Sequence, residues 1–167
     1  MVVRPTPSAP RLPRLALTYR SIDEIKPDPG NPRTRSRQVQ RRVERSMAEF
    51  GFVFPITVDR HGVIVAGHAR LEAAKALGYT HVPAISVEHL TESQIKALQI
   101  ADNRLVELGT WDERLLGEAL QSLTIQGIDL DVTLTGFDVP EIDLYIEGLS
   151  EAPDDEDPAT LAPWHPN

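Results

Sequence analysis

The chain has 167 residues, 41% of them hydrophobic and 25% charged, which suits one packed domain with tails and excludes global disorder. Its 17 Lys+Arg against 25 Asp+Glu leave a net charge of −8, unlike a simple nucleic-acid coat, and aromatics at 5% argue against a stacking platform for single strands. Cysteine is absent, which excludes disulfides, thiol catalysis, Cys-containing zinc sites and Cys-ligated iron–sulfur clusters. No apolar run approaches the roughly 20 residues that span a bilayer. The start, Met1-Val2-Val3-Arg4-Pro5, lacks the apolar stretch of a secretory signal. A cytoplasmic protein with no membrane partner is expected.

Proline and charge divide the chain. Eight of the 14 prolines fall in residues 1–14 and 150–167. These stretches are expected to be a flexible N-terminal tail and an acidic Pro-rich tail or linker. Between them, residues 15–108 read as a domain and 109–149 as a helical extension. Residues 1–45 carry 11 basic and 4 acidic side chains, while residues 46–167 carry 6 basic and 21 acidic ones.

The elements alternate along the chain. Residues 15–19 suit a short strand. Pro27, Pro29, Gly30, Asn31 and Pro32 break the pattern. Ser36 can cap a helix with apolar residues at Val39, Val43, Met47 and Phe50, stopped at Gly51. Residues 56–58 and 63–65 flank Arg60-His61-Gly62 as a hairpin. Gly67 opens a second helix that runs to about Leu77. Residues 82–87 read as a strand, with Pro83 at its start or on an edge. Helices follow: Thr91 with Gln94, Thr110 with Glu113, and Asp138 with Glu141 each have the spacing of a capping box. Strands first and helices after predict an α+β fold: a small mixed sheet with helices, then a helical C-terminal portion.

Three segments can carry chemistry. In Val63-Ile64-Val65-Ala66-Gly67-His68-Ala69-Arg70 a buried strand ends at a glycine and a helix begins at once. Unpaired N–H groups and the positive helix end make an anion site there. Arg70 adds a planar fork for phosphate oxygens, and His68 adds a donor or a proton-transfer group. The plain alternative is a tight turn with a surface arginine. The second segment, Asn31-Pro32-Arg33-Thr34-Arg35-Ser36-Arg37, is a rigid turn loaded with guanidinium groups, of which Arg33 is the best ligand candidate. Arg37, Arg41 and Arg45 continue at four-residue spacing, either as a solvated face or as a stripe that a counter-anion relieves. In the third, Asp102 and Asn103 have the chemistry to hold a hydrated Mg²⁺ beside a phosphate chain; Arg104 pairing with Asp102 is the structural alternative. No His-built metal spacing and no nucleophile elbow occurs.

Taken in order, these segments resemble the N-terminal domain of the ParB family, within the ParB/sulfiredoxin superfamily. The matching stretches are Asn31-Pro32-Arg33, Gly51-Phe52-Val53-Phe54-Pro55-Ile56-Thr57-Val58, Gly67-His68-Ala69-Arg70 and Asp102-Asn103-Arg104. The resemblance covers roughly residues 17–108. It implies a nucleoside triphosphate, CTP or ATP, with phosphates at Arg33, Gly67, His68 and Arg70, and Mg²⁺ placed by Asp102 and Asn103. It also implies a DNA-related process and the capacity for a homodimer. In ParB itself, CTP binding and hydrolysis switch a DNA-sliding clamp.

The departures are specific. Sulfiredoxin needs a cysteine where His68 stands, so that activity is excluded. Ala69 replaces one of the consecutive arginines of the ParB box. Gly67-His68-Ala69-Arg70 lies nearer the Gly-His-His-Arg of a related serine kinase. The region from Trp111 to Leu149 is acidic and offers no basic recognition helix, so DNA contact is expected to be indirect or through the basic N-terminal segment. Residues 101–113 and 134–138 resemble ParB-type domains fused upstream of phage and mobile-element DNA methyltransferases, which implies a methyltransferase partner or fused domain. The alternatives are a phosphotransferase or nuclease that uses His68 catalytically, and an adaptor that has lost nucleotide chemistry.

Overall fold

The computed structural model describes residues 13–125 and 130–151, so the N-terminal tail before residue 13 and the acidic tail after residue 151 lie outside the described residues. The chain divides into two compact units at Gly109/Thr110.

The first unit is built on a four-stranded mixed sheet in the order β1-β4-β2-β3, formed by β1 (Leu17–Ser21), β2 (Ile56–Val58), β3 (Ile64–Ala66) and β4 (His81–Ser86). The β1–β4 and β2–β3 pairs are antiparallel and the β2–β4 pair is parallel. The fold is α+β, as the pattern predicts.

The predicted hairpin joins β2 to β3. Asp59 Oδ1 accepts from the backbone N–H groups of His61 and Val63, each at 2.8 Å. Gly62, at φ +77°, has no room for a side chain: a Cβ there would lie 2.7 Å from the Glu24 carbonyl oxygen. Pro83 departs from expectation, because β4 lies between β1 and β2. The ladder tolerates it for a local reason. Pro83 faces Tyr19, while hydrogen bonding on the β1 side falls to the alternate positions, as with Ile22 N–H to the Thr80 carbonyl at 3.0 Å. Pairing to β2 begins one residue later, at Ala84, so neither ladder needs the N–H that proline lacks.

Helix α1 (Arg37–Phe50) starts where Ser36 Oγ accepts from Val39 N–H at 3.2 Å and stops at Gly51. Helix α2 (His68–Ala76) crosses from β3 back towards β4, and α3 (Glu92–Glu107) begins at the predicted Thr91–Gln94 capping box. Ile56, Val58, Ile64, Leu71, Val82 and Ala84 form the core with Met47 of α1 and Ala73 and Ala74 of α2. Small residues at 73 and 74 let α2 lie close to the sheet.

The second unit contains α4 (Glu113–Ile125), a 3-10 turn at Val132–Thr135, and α5 (Val139–Glu151). The helix α4 is capped differently from expectation: Asp112 Oδ1, not Thr110, accepts from Leu115 N–H at 2.9 Å. The helix begins at Glu113, so the residue just before it is the one in capping position. The Asp138–Glu141 box before α5 forms in both directions, at 2.8 and 3.2 Å. Trp111, Phe137 and Tyr145 make an edge-to-face series with ring centroids 6.0 and 5.6 Å apart, in which Trp111 touches Phe137 while staying largely exposed.

A candidate anion site where strand β3 meets helix α2

Gly67 ends β3 and precedes α2 with φ +108° and ψ 20°, a left-handed conformation that suits glycine. Its missing side chain is filled by Arg70. A Cβ on Gly67 would lie 3.0 Å from Arg70 Nη2, 3.2 Å from Arg70 Nε and 3.3 Å from Ile56 Cγ1. The guanidinium therefore folds back over the turn that starts its own helix. Arg70 Nη2 donates to the Pro55 carbonyl at 3.2 Å, while Nε is buried with no acceptor. Burial lowers the Arg70 pKa first; Asp102 opposes that shift and Arg35 adds to it. A buried N–H without a partner is costly, and here it sits beside the N–H groups of a helix start. These groups together fit an oxyanion.

His68 is fixed from outside the motif. The backbone N–H of Asp28 donates to His68 Nε2 at 3.2 Å. That bond assigns the neutral tautomer with its proton on Nδ1. Burial and then Arg35 lower the His68 pKa, against the carboxylates of Asp28 and Glu72. The neutral ring is thus a donor through Nδ1.

Asp28 belongs to a network that ends at Arg33. Its Oδ1 accepts from Gly30 N–H at 2.9 Å and its Oδ2 from Gln99 Nε2 at 2.8 Å. The Gly30 backbone and then Gln99 hold the Asp28 pKa below the ordinary carboxylate value. Gln99, on α3, is buried and shares Nε2 with the Ile64 carbonyl at 3.3 Å. One turn on, Asn103 Nδ2 donates to the Gln99 carbonyl at 2.8 Å, and Asn103 Oδ1 accepts from Arg33 Nη1 at 3.0 Å. Arg33 Nη1 also reaches Glu107 Oε1 at 3.4 Å. The Pro-Arg turn is thereby tied to α3. From the other side, Gln40 Nε2 of α1 donates to the Ala69 carbonyl at 3.1 Å.

The structure brings Gly67, His68 and Arg70 together, with Asp102 within charge range of Arg70. It also gives Asn103 hydrogen-bond partners from two other segments. Its Oδ1 accepts from Arg33 and its Nδ2 donates to the Gln99 carbonyl, and the second lone pair of an amide oxygen keeps Asn103, with Asp102, among the groups that could face a Mg²⁺ ion. Sequence reasoning passed over Asp28 and Gln99, and it placed Arg35 in the guanidinium-loaded turn without singling it out. Arg35 lowers the pKa of both His68 and Arg70, and its own is lowered by burial and then by Arg33. The signal for Gln99 was its place four residues after Ile95, a polar group at a core position of α3.

The chain has recognisable relatives. Residues 13–104 match the family model described as the ParB N-terminal domain. Residues 114–166 match the model described as a ParB-methyltransferase HTH domain. That second match falls where no basic recognition helix was found, and Arg114 is the one Lys or Arg between residues 110 and 151. Over 81 residues the chain is 36% identical to the ParB-like nuclease domain-containing protein YnaK of Escherichia coli, covering 48% of this chain and 93% of that protein. It is 31% identical over 90 residues to the probable chromosome-partitioning protein ParB of Campylobacter jejuni, covering 52% of this chain and 32% of that one. In three dimensions it is similar to C-terminally truncated ParB from Caulobacter crescentus complexed with CTP-gamma-S. The TM-score is 0.67 at 22% identity, over 83% of this chain and 81% of that one, a likeness of fold.

Proposed function

Because the chain belongs to the ParB N-terminal domain family, we propose that it binds a nucleoside triphosphate at the β3–α2 junction in the service of a DNA-related process. The observation that carries this reading is the buried Arg70 Nε without an acceptor, held over a glycine whose Cβ would displace it. CTP is the first candidate, supported by the CTP-gamma-S complex of the Caulobacter relative; ATP is the alternative.

Each residue has a role in this proposal. The N–H groups at the start of α2 and the guanidinium of Arg70 hold phosphate oxygens, and Arg35 supplies field from the facing turn. His68 donates Nδ1–H to the same anion. Its Nε2 is taken by the Asp28 N–H, so its role is to hold a ligand and not to remove a proton at that atom. Arg33 borders the site, positioned by Asn103. Mg²⁺, when bound with the nucleotide, supplies charge neutralisation between phosphate oxygens, and Asp102 is the carboxylate nearest in electrostatic terms to Arg70. A nuclease reading is favoured by the likeness to the ParB-like nuclease domain-containing protein YnaK. Nicking of plasmid DNA, compared between the native protein and His68→Ala, tests it; equal background rates reject it.

The deciding experiment is a calorimetric titration with CTP, ATP and GTP in the presence of Mg²⁺. Binding of one of them, lost in Arg70→Ala with the circular dichroism spectrum retained, is expected. Absence of binding to all three by the folded protein overturns the proposal.

A further inference from the structure

The edge strand β1 carries its large apolar side chains on an uncovered face. By alternation Leu17 and Tyr19 point to the same side of the strand, a pattern that normally marks a buried face. Yet Leu17 is 57% and Tyr19 73% exposed. On the neighbouring strand β4, Val82 and Ala84 enter the core, so Pro83 between them turns to the other side, opposite Tyr19 in the register. Beside this pair lies an open groove of about 550 Å³, lined by Tyr19, Phe52, Tyr79, Thr80, His81 and Pro83. Phe52 and Tyr79 meet edge to face with ring centroids 6.2 Å apart, so two of the lining rings hold each other in place. The tyrosine hydroxyls and the His81 ring add polar groups that can donate. Aromatic grooves of this make-up take polyproline II segments, which offer rigid apolar edges and carbonyls with no internal partner.

The chain carries such a segment next to the groove. Residues 1–12 precede the described part of the first unit, and Pro7, Pro10 and Pro13 recur every three residues. Three is the period of polyproline II, so in that conformation these prolines form one edge, while Pro5, Ser8 and Arg11 form another. Prolines 5, 7 and 10 lack the N–H that a ladder needs, so the segment is unsuited to pair as a further strand along the open edge of β1. We propose that residues 5–12 dock as a polyproline II helix in the groove, with Pro7 and Pro10 against Tyr19 and Tyr79. The reach suffices. Eight residues of polyproline II span about 25 Å, against about 7 Å of strand from Leu17 to Tyr19. Residues 13–16 belong to no helix or strand and can turn the chain back. Because tail and groove share one chain, intrinsic affinity on the order of millimolar is enough to hold them together. Tyr79 follows the C-terminal end of α2, whose nine residues put about 13 Å of helix between it and Gly67. The groove is therefore a second site, and the inference does not rest on nucleotide binding.

The test exploits the absence of cysteine. Ser8→Cys in the full chain gives a single attachment point for a nitroxide, on the edge away from Pro7 and Pro10. With 3-fluorotyrosine incorporated, ¹⁹F NMR reads Tyr19 and Tyr79. The nitroxide is expected to broaden both signals several-fold more in S8C than in S8C/P7A/P10A, with the circular dichroism spectrum the same in both. Tyr19→Ser, at an exposed position, is expected to reduce the broadening of Tyr79 in the same way. Equal broadening with and without the two prolines overturns the inference, and so does a Tyr79 signal that the label leaves unchanged. Equally strong broadening when the nitroxide sits on a non-fluorinated copy, mixed with fluorinated chains that carry no label, also overturns it, by assigning the groove to a second molecule.

Discussion

The guanidinium of Arg70 occupies the space that a side chain on Gly67 would need, with Nη2 3.0 Å and Nε 3.2 Å from the position of that absent Cβ. The two residues are three apart on one turn and act as one unit. Glycine gives the backbone its left-handed angle and, at the same time, gives the arginine its place.

Gly67→Ala therefore carries two separable costs. The left-handed backbone costs about 1–2 kcal/mol for a residue with a Cβ, and the new methyl displaces Arg70. Urea denaturation of Gly67→Ala, Arg70→Ala and the double variant separates them. The expected result is a coupling of about 0.5–1 kcal/mol, because the double variant keeps the backbone strain and loses the clash. Additive effects would show that the two side-chain positions do not compete.

Gln99→Leu removes the donor to Asp28 Oδ2 and to the Ile64 carbonyl. A buried acceptor left unmade costs about 1–3 kcal/mol. The second readout is local: ¹⁵N spectra of the His68 ring should show a tautomer mixture in place of one form, since the turn that presents the Asp28 N–H is no longer held. A His68 spectrum identical to that of the native protein would remove Gln99 from this positioning role.

Stability should fall as the solution is acidified below about pH 6.5, through His68. Its folded pKa is lowered from 6.5, so the unfolded chain binds the proton more readily than the folded one. The contribution is complete above the unfolded value and is lost as pH falls through the depressed folded value. Arg35 works in the same direction as burial, and the Asp28 and Glu72 carboxylates work against it. The Asp28 contribution is lost separately, below its ordinary value of 3.8. Urea midpoints at pH 7.5 and pH 5.5 should differ more for the native protein than for His68→Gln. Equal differences would assign the dependence to another group.

In the second unit, Gly117→Leu should separate α4 from α5. A Cβ at 117 would meet the Tyr145 carbonyl at 2.6 Å and Leu149 at 3.1 Å. Overpacking of this kind costs about 1–3 kcal/mol. With Trp164 replaced by Phe, fluorescence reports on Trp111, which stacks edge-on with Phe137. The melting transition seen by that signal is expected to drop while the first unit melts as before.

The parts of this molecule that could be read in advance are the ones whose determinants are contiguous. Ser36 with Gly51 bounds α1, Thr91 with Gln94 starts α3, and Gly67, His68 and Arg70 stand within four positions. Each rests on backbone groups a few residues away. Position in the sheet is another matter. Nothing near Pro83 says that β1, from sixty residues earlier, covers the other side of its strand. Thr110 has the spacing of a cap, but the helix starts two residues later than that spacing requires. Asn103 beside Asp102 is legible as a possible Mg²⁺ neighbour, while its bonds to Arg33 and to the Gln99 carbonyl use partners that only tertiary structure supplies. Asp28 and Gln99 were silent for the same reason. They lie 71 residues apart and acquire meaning through the 2.8 Å bond between them.

The bond from the Asp28 backbone to His68 Nε2 bears on transplantation. Gly67 to Arg70 would look portable, a four-residue cassette to place at any strand–helix junction. Moved alone, it would carry the glycine angle and the folded-back arginine, but its histidine would arrive with no instruction as to which nitrogen holds the proton. A working graft has to bring the Pro27–Gly30 turn and the α3 glutamine with it, which makes the smallest transferable unit a three-segment assembly and not a motif.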